Sequence, residues 1–354
     1  MSDTYFHKML EEFTGHAYSS GEKFLPARYV FVLTNLCNLK CSFCFQQKKR
    51  LREAMSQNDW INVIGQLPEY SRITLTGGEP LIFSGFKEVF AKIADTFDCN
   101  IITNGILLSE EMIDYILSFS KFRVLSISID DIGNTARGVT PRQWTHLEKM
   151  IRYFHQRREA IDSKCIFDVK TMILDENARH LYDIRKYCSD TLKCDTQSFQ
   201  FLKGSDIQHA DNPFSFTEIL KKSEAYKYRH FEVIVEQLLK IQGHRAPNQS
   251  KVFLHPKFID LLANVKNEPA DFELYNAITH DSSLYEKCMF PWSSLHINYD
   301  GAVFPCLNLN MGNVKNQTLK NIIHGARYDE FKNLIKKRGT IQACNRCGWL
   351  RKMS

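Results

Sequence analysis

Residues 28–44 read RYVFVLTNLCNLKCSFC. The first part is a short run of β-branched and aromatic residues, a strand signal. The rest places Cys37, Cys41 and Cys44 within eight residues on the loop that follows. Three thiolates this close can wrap a compact cluster. A [4Fe–4S] cube normally takes four thiolates. Three therefore leave one iron open, and an open coordination position is where chemistry happens. A zinc site would want a fourth Cys or His nearby, whereas the closest downstream histidine is His146.

Outward from this strand, short β-like runs alternate with amphipathic stretches as far as residue 205. Strands are predicted at 29–33, 73–76, 99–103, 124–129, 165–173 and 198–202, each rich in Val, Ile, Phe or Thr. Helices are predicted at about 58–67, 85–97, 110–119, 142–157 and 176–189. Such alternation implies βαβ units and a parallel sheet. Six strands fit an α/β partial barrel or an open doubly wound sheet, with the chemistry at the C-terminal strand ends. Residues 206–285 change character: a long helical pattern at 216–242, the polar break GHRAPNQS at 243–250, and a shorter helical stretch at 256–266. They read as a bridging insertion between the 28–205 core and a small cysteine-bearing unit at 286–354, with 1–27 as an N-terminal extension.

The C-x3-C-x2-C motif after the first strand resembles that of the radical S-adenosylmethionine (SAM) enzymes. The resemblance covers residues 28–205 and implies a partial (β/α)6 barrel. It also implies a [4Fe–4S] cluster on Cys37, Cys41 and Cys44 whose open iron binds SAM and splits it to a 5′-deoxyadenosyl radical. Supporting elements follow in order. Thr76-Gly77-Gly78-Glu79-Pro80 is similar to the family's GGEP loop, which holds the SAM amino group. Thr103-Asn104-Gly105 is similar to a loop near the methionyl end. Ser128 and Asp130 share one face of the fourth strand and resemble the ribose-binding pair. Phe43 matches the aromatic position that packs on adenine, and residues 169–173 with Phe201 and Leu202 match the adenine wall. Asp131 stands where many relatives have Gly, which reshapes that loop.

A second set is Cys288, Cys306, Cys344 and Cys347. Asp300-Gly301 between β-formers signals a hairpin, placing Cys306 on its return strand, and a helical stretch at 318–337 leads back to Cys344. Four thiolates suit zinc as well as a cluster, but a zinc ribbon usually shows two close C-x2-C pairs and only one is present. The layout resembles the twitch form of the SPASM extension, an α+β module, with Gly301-x4-Cys306 matching its Gly-x4-Cys. That implies a second, auxiliary [4Fe–4S] cluster with four protein ligands, conducting or accepting electrons. The family also implies a flavodoxin- or ferredoxin-type electron donor.

There are eleven cysteines. An odd count without a secretory signal argues against a disulfide framework, and Cys99, Cys165, Cys188 and Cys194 read as core residues. No uncharged apolar window is long enough to span a membrane, the expected location is cytoplasmic, and no nucleic-acid signature is visible. The net charge of +6 resides in residues 327–354, with eight basic and two acidic residues. A basic tail can attract anions. With few residues ahead of the barrel, the favoured substrate is a small polar metabolite, such as a sugar, nucleoside or nucleotide-linked compound, oxidised through the auxiliary cluster. The alternative is oxidation or crosslinking of a ribosomal peptide; a non-catalytic iron–sulfur or zinc protein is the third reading. Lys203, His209 and Tyr226 are placed to reach a substrate, and no catalytic residue is assigned.

Overall fold

The computed structural model describes residues 3–44, 53–203, 215–221, 226–246, 248–255, 282–306, 309–351 and 353. All six expected strands are present: β1 (Arg28–Val32), β2 (Arg72–Thr76), β3 (Asp98–Thr103), β4 (Phe122–Ser128), β5 (Ile166–Ile173) and β6 (Thr196–Phe201). After the N-terminal helix α1 (Asp3–Ser19), their crossovers are α2 (Gln57–Ile64), α3 (Phe86–Thr96), α4 (Glu110–Leu117), α5 (Pro141–Ala160) and α6 (Leu181–Lys186). The helix starts follow from capping chemistry. Ser56 and Asp59 form a reciprocal capping box for α2, and Thr140 with Gln143 does the same for α5 beside Pro141.

Among the described residues the sheet holds ten strands in the order β10-β9-β8-β1-β2-β3-β4-β5-β6-β7. Neighbours from β8 through β1 to β7 are parallel. The apolar face of this sheet packs on the helices, with Phe31 against Trp60 and Phe167 against Phe154 of α5. Cys99, Cys165, Cys188 and Cys194 lie buried in this core, where burial pushes the Cys165 thiol up to about 12.

Two expectations for residues 206–285 change. The segment 206–285, read as a bridging insertion with helical patterns, contributes β7 (Lys251–His255), parallel to β6. The helical pattern at 216–242 is broken into α7 (Phe216–Lys221) and α8 (Phe231–Gly243). The Asp175 carboxylate accepts the backbone N–H groups of Arg229 and His230, which fastens the start of α8 to the loop after β5. The stretch at 256–266 lies outside the described residues.

The expected hairpin is present as β8 (Ser294–Ile297) and β9 (Ala302–Phe304), with β10 (Gly312–Asn313) beside it. Cys306 lies two residues past β9 rather than on it. The helical stretch is two helices, α9 (Leu319–Ile323) and α10 (Ala326–Arg338), separated at Gly325. A Cβ on Gly325 would meet the Asn321 carbonyl at 2.9 Å, a close approach that suits Gly. The module is not set apart from the barrel, because β8 pairs in parallel with β1 from Arg28↔Ser294 to Phe31↔Ile297. Helix α1 also reaches the module, with Tyr18 edge-on to Trp292.

The basic tail is largely engaged within the fold. Lys332 lies over Trp292 and Tyr328, Lys336 over Tyr18, and Arg327 donates to the Asn310 carbonyl. No described helix is long and apolar enough to cross a membrane.

Candidate functional site

The cysteine loop and the glycine loop lie at the C-terminal ends of adjacent parallel strands, β1 and β2. Beyond the strand ends the ladder continues: Gly78 N donates to Thr34 O at 2.6 Å and Glu79 N to Leu36 O at 2.8 Å. The backbones meet so closely that a Cβ on Gly77 would lie 2.6 Å from Thr34 O, and one on Gly78 2.2 Å from Leu36 O. Only glycine permits this approach, which fixes the backbone leading into Cys37.

Glu79 is fully buried. Its Oε1 accepts from Thr103 Oγ1 at 2.7 Å and Leu81 N at 3.2 Å, and its Oε2 from Asn104 N at 2.8 Å. Glu79 thus ties the loop after β2 to the loop after β3. Asn104 extends the tie: its Nδ2 donates to Asn38 Oδ1 at 2.8 Å and lies 3.7 Å from Cys37 Sγ. Burial raises the Glu79 pKa from 4.5 to about 7, against the pull of its three donors. The unfolded chain releases this proton at lower pH, so between about 4.5 and 7 the folded state holds more protons and stability falls as pH rises. The expected cost is on the order of 3 kcal/mol across that window. Anaerobic unfolding midpoints at both ends of the window, compared with Glu79→Gln, which lacks this titration, measure it.

The loop after β4 supplies the next wall. Ser128 is half-buried and Asp130 fully buried. Asp130 Oδ1 accepts from Met172 N at 2.7 Å and Arg137 Nη2 at 3.2 Å, and its Oδ2 lies 2.8 Å from Arg137 Nε. Burial raises the pKa of Asp130, opposed chiefly by Arg137. Asp131 caps the turn that follows, accepting from Thr135 N and Ala136 N, so it does shape the loop. The turn aims Arg137 at the cysteine loop. Its Cζ lies 5.4 Å from the Phe43 ring centroid, and its carbonyl lies 3.7 Å from Cys41 Sγ. Sequence reasoning missed Arg137; an arginine seven residues past the strand-end aspartate was the available signal.

The residues expected to wall adenine lie on β5 and at the end of β6. Val169, Ile173 and Phe201 are fully buried. Phe201 packs on Phe231 of α8, and Val169 and Ile173 share the face of Phe167, which packs on α5. The opposite, interior face carries polar groups. Asp168 accepts from Ser126 Oγ at 2.8 Å and Thr196 Oγ1 at 2.6 Å, and Lys170 Nζ lies 3.0 Å from Asp168 Oδ2. This polar floor was missed, although alternating polar residues in β5 and β6 marked it.

In the second cysteine set Cys344 is buried, and Cys288, Cys306 and Cys347 are half-buried. Cys288, Cys344 and Cys347 all bear on the ionisation of Cys306, which burial pushes well up. Burial also lifts Cys344 to about 11. Such thiols ionise only when a cationic centre compensates the charge, so the pocket suits a metal cluster. Among the described residues no three His, Cys, Asp or Glu side chains close on a single-ion position. A cube holds each thiolate on a different iron, so its four sulfurs need not converge on one point. Lys203, just past β6, reaches the cysteine loop, where its Nζ donates to Ala343 O at 3.3 Å; the Tyr226 carbonyl accepts from Arg346, and its hydroxyl donates to Asp175 past the end of β5. His209 lies outside the described residues.

Residues 31–188 match the Radical SAM superfamily, and residues 288–348 match SPASM, an iron–sulfur cluster-binding domain. The chain belongs to the radical SAM superfamily and carries a C-terminal SPASM domain. It is accordingly a radical SAM enzyme, with SAM, the [4Fe–4S] cluster that binds it, and an auxiliary iron–sulfur cluster as cofactors. The chain is similar to the sporulation killing factor maturation protein SkfB of Bacillus subtilis (strain 168), at 25% identity over 325 residues, covering 90% of this chain and 69% of that protein. It is also similar to an S-adenosylmethionine-dependent nucleotide dehydratase of Flammeovirga pacifica, at 26% identity over 152 residues, 40% of this chain and 51% of that one. Its fold resembles Streptococcus suis SuiB bound to precursor peptide SuiA, at a TM-score of 0.64 and 17% identity over 91% of this chain and 70% of that chain. It also resembles anSMEcpe with bound AdoMet and Cp18Cys peptide, at a TM-score of 0.59 and 15% identity over 92% of this chain and 89% of that chain.

Proposed function

We propose that this radical SAM enzyme is a peptide maturase, which oxidises or crosslinks a ribosomally made peptide. The observation that carries this reading is the match to SkfB, a maturation protein, through 90% of the chain. The small-metabolite expectation rested partly on a basic tail free to attract anions, and the tail's contacts to Trp292, Tyr328 and Tyr18 weaken that support.

In this reading Cys37, Cys41 and Cys44 hold the SAM-binding cluster, and Cys288, Cys306, Cys344 and Cys347 the auxiliary [4Fe–4S] cluster. Bound SAM supplies a radical that abstracts a substrate hydrogen. The residues of the chain orient and enclose. Gly77 and Gly78 bring backbone against the ligand, and Glu79 Oε2, with a single donor, keeps acceptor capacity for the SAM amino group. Asn104, Ser128 and Phe43 line the remaining edge. Asp130, held by Arg137 and Met172 N, sets the wall beside the ribose. The polar floor of Asp168, Lys170 and Ser126 receives the peptide backbone. A flavodoxin- or ferredoxin-type carrier supplies the electron that starts each cycle.

The test is anaerobic turnover with the peptide encoded beside the gene. Peptide-dependent 5′-deoxyadenosine and a peptide mass lower by two hydrogens support the proposal. Stimulation by nucleosides or sugars but not by the peptide would sink it.

A further inference from the structure

Lys203 follows β6 at the C-terminal end of the barrel and is buried, with 5% of its surface exposed. Its backbone is pinned, since Tyr226 N donates to Lys203 O at 2.7 Å. The neighbouring carbonyls of Leu202 and Tyr226 both accept from Arg346 Nη1, and Arg346 itself lies between Cys344 and Cys347 with its guanidinium over the Tyr228 ring. The Lys203 side chain crosses to the cysteine loop, where Nζ donates to Ala343 O. Ala343 adjoins Cys344, so the ammonium sits against the loop that carries Cys344 and Cys347. Among the described residues no carboxylate pairs with it.

A buried cation is held where an opposite charge compensates it. Four neutral thiols offer none. Four thiolates around a [4Fe–4S] centre carry a net negative charge, which grows by one when the centre takes up an electron. We propose that Lys203 is the counter-ion of the auxiliary cluster and raises its reduction potential, fitting it to accept the electron released as the substrate radical is oxidised. The electron then leaves to a one-electron carrier of the flavodoxin or ferredoxin class, and the substrate proton passes to solvent. Lys203 is a positioning residue in this scheme: it touches no reacting atom and acts through the charge it places beside the Cys344 loop. The inference rests on the reading that Cys288, Cys306, Cys344 and Cys347 hold a [4Fe–4S] cluster.

The test uses the full chain, reconstituted anaerobically with iron and sulfide, as wild type, Lys203→Met and Lys203→Arg. Iron is counted and both clusters are titrated electrochemically with detection by electron paramagnetic resonance. The SAM-binding cluster is recognised by the change in its signal on adding SAM. With both clusters loaded, K203M is expected to lower the auxiliary reduction equilibrium about tenfold, equivalent to a midpoint roughly 59 mV more negative. K203R should keep most of the wild-type value, and the SAM-binding cluster should not move. An unchanged auxiliary midpoint in K203M overturns the inference and leaves the cluster reading standing. Wild type with only one cluster's iron overturns both. If K203M loses the auxiliary cluster while K203R keeps it, the need for charge is supported. Loss in both variants shows a requirement for lysine shape and overturns the counter-ion role.

Discussion

Replacing Cys344 and Cys347 with alanine should cut the iron content from about eight to about four per chain and reduce product formation to background. 5′-Deoxyadenosine should still be detectable, now uncoupled from product. The expectation follows from the separation of the two cysteine sets. Cys37, Cys41 and Cys44 lie on the loop after β1, braced by Glu79 and Asn104, and none of those braces involves residues 344–347. The substituted residues are the proposed ligands of the cluster that takes the substrate's electron. Full product yield at the lower iron content would show that substrate oxidation does not pass through the SPASM module.

Gly78→Ala should be similarly damaging by another route. The new Cβ would lie 2.2 Å from the Leu36 carbonyl oxygen and 2.8 Å from that of Asn35. Both obstacles are backbone, which cannot rotate aside as a flexible side chain can. The loop after β2 must retreat, giving up the Gly78–Thr34 and Glu79–Leu36 hydrogen bonds, and residue 36 adjoins Cys37. A displacement near 1 Å can cost about 100-fold in rate, so SAM cleavage should fall by about that factor or more. Gly243→Ala is the matched control, since nothing lies within 4 Å of its Cβ position. Single-turnover formation of 5′-deoxyadenosine compares them, and a G78A rate within a few-fold of wild type would refute the close-approach argument.

The residues that carry local chemistry were legible in the sequence, because their pattern is short-range. Cys37-x3-Cys41-x2-Cys44, Gly77-Gly78-Glu79 and the β-runs before them each express their signal within a few residues. What was not legible depends on partners far away in the chain. The Lys251–His255 strand is short, with Phe253 exposed, and is defined by β6 rather than by its own alternation. The start of α8 is fastened by Asp175, more than fifty residues upstream. The fifth and sixth strands were located correctly, but attention to their apolar residues hid the polar face. There Asp168, Lys170 and Ser198 turn inward while Val169 and Phe199 meet the helices.

The parallel pairing of β8 with β1 carries a consequence for dissection. Excising residues 286–354 would strip β1 of a neighbour and leave a row of unsatisfied amides and carbonyls along its flank, a template for aggregation. It would also take away Trp292, on which Tyr18 of α1 rests. The catalytic half should therefore not survive alone as a soluble fragment, and melting of the whole chain should register as one cooperative event.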